Sequence, residues 1–301
     1  MNQPESSPRV LLLGSESGFC FHALRALLEA RVQVTGVLIA AGEDATPPRG
    51  VLRGAMPVSQ PGSVGDFADR EGIATIFCID TLEVQALKHA QAVSPDVLLL
   101  ACLPERLDLF WLELAPAGCF NIHPSLLPQY RGPAPLFWQL RDGCQETGVT
   151  VHRVEARMDA GAILVQEKHA IGPGDTLATL NARLAAAGAS AFAAALDAIA
   201  AGTAELEAQD EAGASHFPWP KREDFSLDWR WTAARAYRFV RATQLLGQIY
   251  PMETRDGVLL IERVLDFDAS AVQEAAFLEK DGVLEIGFST GVMRAVGKRQ
   301  A

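Results

Sequence analysis

The chain has 301 residues, 49% of them hydrophobic and 21% charged, which supplies a sizeable core and excludes disorder as a description of the whole. Its formal charge of −11 is carried entirely by residues 1–220, with 14 basic and 25 acidic side chains, since residues 221–301 hold 12 of each. Avid non-specific nucleic-acid binding is thereby disfavoured, although one nucleic acid docked on a local basic face stays compatible with it.

In chain order, residues 10–13 read as an apolar strand ending at Gly14, and Phe21, Leu24, Leu27 and Leu28 follow at helical spacing. Between them, Gly14-Ser-Glu-Ser-Gly18 stands where nucleotide loops stand but fits neither G-x-G-x-x-G nor G-x-x-x-x-G-K-[ST], so it is read as a tight turn. Residues 32–39 predict a second strand, 76–79 a third, and 81–92 a helix capped by Thr81. Residues 97–101 are apolar at every position, as befits a central parallel strand covered on both faces. Residues 120–122 form another strand, broken at His123-Pro124. This alternation predicts a doubly wound α/β fold. Residues 147–154 and 162–165 predict two more strands around the polar turn Arg157-Met-Asp-Ala-Gly161.

The Ala-rich stretch 175–202, with Leu180, Leu184, Leu196 and Ile199 at helical spacing, is read as a covering helix. Asn181, Arg183 and Asp197 interrupt it, and the longest apolar run, 97–103, is a third of a membrane span, so no membrane association is expected. Periodicity then disappears over 205–221, which contains Pro218 and Pro220. A linker is placed there, between a domain of residues 1–204 and one of residues 222–301. The second part opens with a helix over 231–246 and continues in short runs such as 258–261 and 283–288 separated by Gly, the pattern of a small β-barrel. Cys20, Cys78, Cys102, Cys119 and Cys144 are scattered, odd in number and without a C-x-x-C pair. They fit free thiols in a reducing cytoplasm, and no secretory leader is expected.

The informative stretch is Asn121-Ile-His123-Pro-Ser125-Leu-Leu-Pro128, followed by Gln-Tyr-Arg131-Gly132. On a strand, Asn121 and His123 point to one side, at the edge where open α/β sheets bind ligands. An amide donor can hold a developing oxyanion while an imidazole moves a proton at neutral pH. A turn-capping Asn and a His in a polar niche would give the same short pattern. Asp159, in a Gly-containing turn between apolar runs, is either a turn residue or the carboxylate that orients the imidazole.

Taken together, Asn121-Ile-His123-Pro-Ser-Leu-Leu-Pro128, Arg131-Gly132 and Asp159-Ala-Gly161-Ala-Ile-Leu164 resemble the 10-formyltetrahydrofolate-dependent formyltransferases. Gly148-Val-Thr150-Val, Ser226-Leu-Asp228-Trp229 and Val240-Arg241-Ala242 extend the similarity towards the methionyl-tRNA formyltransferase branch over nearly the whole chain. The resemblance implies a Rossmann-like doubly wound formyltransferase domain followed by a small C-terminal β-barrel (OB-like) domain. It also implies formyl transfer from a 10-formyltetrahydrofolate co-substrate to a primary amine acceptor, foremost the methionyl amine of initiator tRNA, in the cytoplasm. Asn121 and a protonated His123 would hold the tetrahedral oxyanion and Asp159 would orient His123. Ser125, Leu126, Leu127 and Pro128, with Leu103 and Leu107, would shape the folate pocket. No metal is expected.

Three departures bear on the acceptor. The segment 38–50, where the tRNA enzymes carry a basic loop, has Glu43 and Asp44 and leaves only Arg49 and nearby Arg53 as cations. Leu103-Pro104 replaces the Tyr-Gly of the folate pocket, and the C-terminal part ends soon after Val292-Met-Arg-Ala-Val. Arg235, Arg238 and Arg241, at three-residue steps on the C-terminal helix, are the other candidate acceptor contacts, or else a solvated face. Two alternatives are carried forward: a formyltransferase acting on an amino sugar nucleotide or another small amine, and a folate-binding module without turnover.

Overall fold

The computed structural model describes residues 7–40, 63–78, 81, 84–255, 257–272, 277–280 and 282–300. Its first sheet grows outward from β1 (Arg9–Gly14), which pairs in parallel with β2 (Gln33–Ala40) and β4 (Val97–Ala101). Outside these lie β3 (Thr75–Cys78) against β2 and β5 (Cys119–His123) against β4, also parallel. The next strands, β6 (Glu146–Arg153) and β7 (Ile163–Ala170), continue the sheet antiparallel, so the order among the described residues is β3-β2-β1-β4-β5-β6-β7. The expected doubly wound parallel sheet therefore carries an antiparallel edge. β6 and β7 are joined directly by residues 154–162, whereas the chain passes from β5 to β6 through a connection that contains a helix, Pro135–Asp142.

Strand alternation explains the wholly apolar β4. Val97, Leu99 and Ala101 join Val10 and Leu12 in a core shared with α1 (Gly18–Glu29) and α6 (Leu177–Ala200). Leu98 and Leu100 join Leu11 and Leu13 on the other face, against Ala86 and Ala90 of α3 (Val84–Val93) and Trp111 of α4 (Leu109–Leu114). Ser17 caps α1, and Thr176 caps α6 by accepting from the Thr179 N–H, which satisfies the donors a helix start leaves open. By length and composition α6 is apolar enough to cross a membrane. Here Leu180, Leu184, Ala189 and Phe192 are buried in the first core.

The short helices α2 (Val64–Arg70), α4 and α5 (Pro135–Asp142), of 7, 6 and 8 residues, were not legible as periodic segments because a helical stripe needs a longer window. β7 runs on to Ala170, past the apolar 162–165, because its second half lies exposed at the sheet edge and carries polar residues.

The C-terminal part holds α7 (Ala233–Thr243) and the antiparallel strands β8 (Tyr250–Thr254), β9 (Gly257–Asp268), β10 (Phe277–Lys280), β11 (Val283–Gly287) and β12 (Val292–Arg299). They form a sheet of order β10-β11-β12-β9-β8, the expected small β domain. β9 reaches 12 residues, well beyond its apolar start, because it is paired on both sides. The two sheets meet through aromatic packing: Phe137 of α5 lies 5.0 Å from Phe225 and 5.5 Å from Phe239 of α7, and Phe225 lies 5.8 Å from Tyr250.

Candidate active site

Period-two alternation on β5 sends Phe120 and Ile122 into the core beneath α6 and turns Cys119, Asn121 and His123 to the opposite face. Antiparallel pairing sets Asn121 opposite His152 and His123 opposite Thr150 of β6. The turn joining β6 to β7 then brings Asp159 over these side chains. The three residues expected to act together, Asn121, His123 and Asp159, do converge, and His152 joins them. His152 was not singled out from the sequence, although Thr150 and His152 alternate with buried Val149 and Val151 on a strand facing the motif.

Acceptor identities fix the proton positions. His123 Nε2 lies 2.9 Å from the Tyr130 carbonyl and His152 Nδ1 lies 2.9 Å from the Arg153 carbonyl, so both nitrogens donate. The remaining Nε2 of His152 accepts from Asn121 Nδ2 at 3.2 Å. The amide nitrogen thus faces the site and has a second hydrogen to give. His123 Nδ1 points towards Asp159 Oδ1 at 3.7 Å, and His152 Nε2 is 3.6 Å from the same oxygen. Asp159 Oδ2 accepts the Gly132 N–H at 2.8 Å.

Burial and charge oppose each other here. Burial would raise the Asp159 carboxyl, but His123, His152 and the Gly132 N–H outweigh it and hold the group well below the usual carboxylate range. His123, only 4% exposed, is pushed below its ordinary value by burial first. The Asp159 charge opposes that shift, and His152 and Arg131 add to it. At neutral pH the free protein therefore pairs an ionised Asp159 with a neutral His123. The desolvation of the buried imidazole outweighs one carboxylate 3.7 Å away, so the protonated His123 expected at the tetrahedral oxyanion has to gain its proton during the reaction.

The Ser-Leu-Leu-Pro loop is anchored from behind. The Thr150 hydroxyl donates to the Ser125 carbonyl at 2.7 Å and accepts from the Leu127 N–H at 3.2 Å and from Gln166 Nε2 at 2.9 Å. Ser125 Oγ donates to the Gln129 carbonyl at 2.8 Å. Ser125 and Leu127 are buried and shape the loop from inside, while Leu126 and Pro128 are half-buried. Leu126 packs over β6 at Gly148, where a Cβ would stand 2.3 Å from Leu126 Cδ2. Leu103 and Leu107, half-buried, follow the carboxyl end of β4 and pack against the cluster that holds Leu100 and Cys119. The Ser15 hydroxyl ties the turn after β1 to the Cys102 carbonyl at 2.7 Å, at the carboxyl ends of β1 and β4, where the strand order reverses and open α/β sheets bind ligands in a crevice.

The segment expected to be a plain linker lies against the site. Phe217 stacks on Tyr130 at 5.2 Å, and the Tyr130 N–H donates to Ser215 Oγ at 2.9 Å. The Arg131 N–H donates to the Ser215 carbonyl, the Phe217 N–H donates to the Arg131 carbonyl, and Glu207 pairs with Ile163. Arg131, 4% exposed, donates to both Gln209 and Glu211. The carboxyl of Glu211 is held down to about 2 by hydrogen bonds from Arg131 and Arg157. A cleft of about 340 Å³ is bordered by Arg106, Arg131, Arg157, Met158, Glu211 and His216.

Of the arginines named for an acceptor, Arg235, Arg238 and Arg241 lie on α7, in the C-terminal part. Arg49 and Arg53 fall outside the described residues. Arg235 donates through Nε to the Arg141 carbonyl at 2.9 Å and covers the Trp231 ring at 4.1 Å. Arg238 bonds to Gln145 and to the Ala234 carbonyl, and Arg241 to the Tyr237 hydroxyl. None of the three is fully exposed, and Arg235 and Arg238 pin α7 to the end of α5 and the residues that follow it.

Residues 9–196 match the Formyl transferase family. The chain is 36% identical to the methionyl-tRNA formyltransferase of Roseiflexus castenholzii over 78% of its own length and 73% of that protein. With the enzyme of the same name from Citrifermentans bemidjiense, identity is 29% over 94% of this chain and 86% of the relative. Among solved structures, the N-formyltransferase from Helicobacter canadensis in complex with folinic acid and dTDP-3-aminofucose superposes with a TM-score of 0.67 at 19% identity, covering 96% of this chain and 98% of that one. The methionyl-tRNA formyltransferase from Clostridium thermocellum gives 0.53 at 12% identity, over 97% and 100% of the two chains. The chain belongs to the formyl transferase family and is an enzyme that transfers formyl groups.

Proposed function

We propose that the enzyme takes its formyl group from 10-formyltetrahydrofolate and passes it to the methionyl amine of initiator tRNA, with Asn121, His123 and Asp159 as the acting side chains. The observation that carries the chemistry is their convergence at the carboxyl edge of β5, with His123 Nδ1 3.7 Å from an ionised Asp159. The donor would lie in the crevice beside Leu103, Leu107, Leu126 and Pro128. We assign the chemistry to residues 1–204 and read 222–301 as the unit that presents the acceptor, joined through 205–221.

The neutral amine attacks the formyl carbon, forming the new C–N bond and moving the carbonyl electron pair onto oxygen. The free hydrogen of Asn121 Nδ2 donates to that oxyanion. The proton shed by the amine goes to His123 Nδ1, which is unprotonated at the start and faces Asp159 once charged. Collapse of the intermediate breaks the bond to the donor nitrogen, which leaves with the proton from His123. The products are the formamide and tetrahydrofolate, and atoms and charge balance.

Support for the tRNA acceptor comes from similarity to methionyl-tRNA formyltransferases that runs through both parts of the chain. Labelled 10-formyltetrahydrofolate supplied with charged initiator tRNA, amino sugar nucleotides and small amines tests it. Label should enter the tRNA. Label entering only a small amine overturns the acceptor, and folate binding with no transfer to any amine overturns turnover itself.

A further inference from the structure

Asp159 sits in a backbone conformation that residues other than glycine adopt uncommonly. Its φ is 53°, in the left-handed region, inside a turn whose carboxylate must stay aimed between two imidazoles. The Gly132 N–H holds one carboxylate oxygen, but the turn's own backbone is held from outside the β6–β7 hairpin. Gln209 Nε2 donates to the Asp159 carbonyl at 2.8 Å and to the Gly161 carbonyl at 2.7 Å, bridging the two ends of the Asp-Ala-Gly turn. Its Oε1 accepts from Arg131 Nε at 3.2 Å and Nη2 at 2.7 Å, which fixes the orientation of the amide. Arg131 is itself buried and anchored to Glu211 and, through its backbone, to Ser215. One side chain thus uses both amide hydrogens and its oxygen to join the reacting turn, the motif loop and the segment 205–221.

We propose that Gln209 is a positioning residue for the formyl transfer. Lying in a segment that contributes no reacting group, it holds Asp159 in register with His123 by clamping the left-handed turn. This rests on the reading of Asp159 above. Among the described residues the Gln209 side chain hydrogen-bonds to Arg131 and to the Asp159 and Gly161 carbonyls, so its effect on the reaction passes through Asp159. Without the clamp the turn relaxes towards ordinary φ values, the carboxylate moves off His123, and the charge that counteracts burial of the imidazole is lost.

The variants are Gln209→Met, which keeps length and volume without hydrogen bonds, and Gln209→Glu. The second keeps an acceptor for Arg131 but loses both donors to the turn. Both are measured beside Asp159→Asn and the Gln209→Met, Asp159→Asn double variant. Each Gln209 variant should lower kcat about 10- to 100-fold, the scale for misplacing a reacting group, with the KM for amine within a few-fold. The acid limb of the pH profile should move to lower pH, since Asp159 no longer raises His123. The double variant should be no slower than Asp159→Asn alone, because both changes act on one carboxylate. Unaltered kcat and acid limb in Gln209→Glu, alongside a crippled Asp159→Asn, overturn the positioning role and leave the catalytic reading standing. Multiplicative losses in the double variant overturn it as well. Full activity in Asp159→Asn overturns both. If Gln209→Met does not fold, the Gln209→Glu rate and pH profile decide.

Discussion

His123 and Asp159 form a pair in which burial works against each partner's charged form and the neighbours restore only one of them. Asp159 stays ionised because several groups favour its anion, while His123 stays neutral because desolvation exceeds the pull of Asp159. The activity consequence is an acid limb below about 6.5, the ordinary imidazole value. Asp159→Asn should move that limb lower still, because the lost negative charge was the part raising His123. A limb that moves upward in Asp159→Asn would contradict this account.

The same shifts set a stability profile. A His whose folded pKa lies below its unfolded value of about 6.5 adds stability that is complete above that pH and is lost as pH falls towards the folded value. Asp159 adds stability that is present above about 3.9 and is lost as pH falls further, through its lower folded value. Urea midpoints should therefore decline from neutral pH to about pH 5, where His123 acts together with His22 and His89, which burial also holds below the ordinary value. His123→Gln should make that decline shallower, and an equally steep decline in the variant would assign it to His22 and His89.

At the scale of elements, the hairpin β6–β7 and the motif loop are fixed by close approach as much as by bonding. Gly132 has φ +113°, and a Cβ there would fall 2.1 Å from the Phe217 carbonyl oxygen. Gly132→Ala should cost about 2–3 kcal/mol through strain and displacement of the segment behind it. It should also slow transfer, because the Gly132 N–H holds Asp159. Thermal melting and the transfer rate together check this, and an unchanged melt would remove the steric argument.

The same elements show what was legible beforehand. Asn121 and His123 could be read because alternation on a short strand places them on one edge. The core strand β4 was unmistakable because both of its faces are covered. His152 carried the same kind of signal but gains meaning only through its pairing with Asn121 across two strands. Gln209 could not be read at all. Its segment is held by backbone bridges and single side-chain bonds, which leave no periodic trace in the sequence. The arginine stripe on α7 was legible as spacing. Whether spacing means a phosphate track or a packing seam depends on what faces it, and for Arg235 that is the Arg141 carbonyl and Trp231.

Across the whole molecule, one contiguous apolar core runs from the first sheet through Phe137, Phe225, Phe239 and Tyr250 into the second. The two parts should therefore unfold in a single calorimetric transition. Arg235→Ala removes charged hydrogen bonds to the Arg141 carbonyl and should cost about 1.5–3 kcal/mol. The loss should appear first as a lowered melting temperature. A wild-type scan with two well-separated transitions would contradict the shared core.

Single-turnover formyl transfer by wild type and His123→Ala, at saturating folate donor and neutral pH, bears most directly on the claim that this site is the reacting centre. Removing the group that takes and returns the proton should slow the chemical step by about 10² to 10⁴, with donor affinity little changed. Transfer by folded His123→Ala at near the wild-type rate would contradict the mechanism.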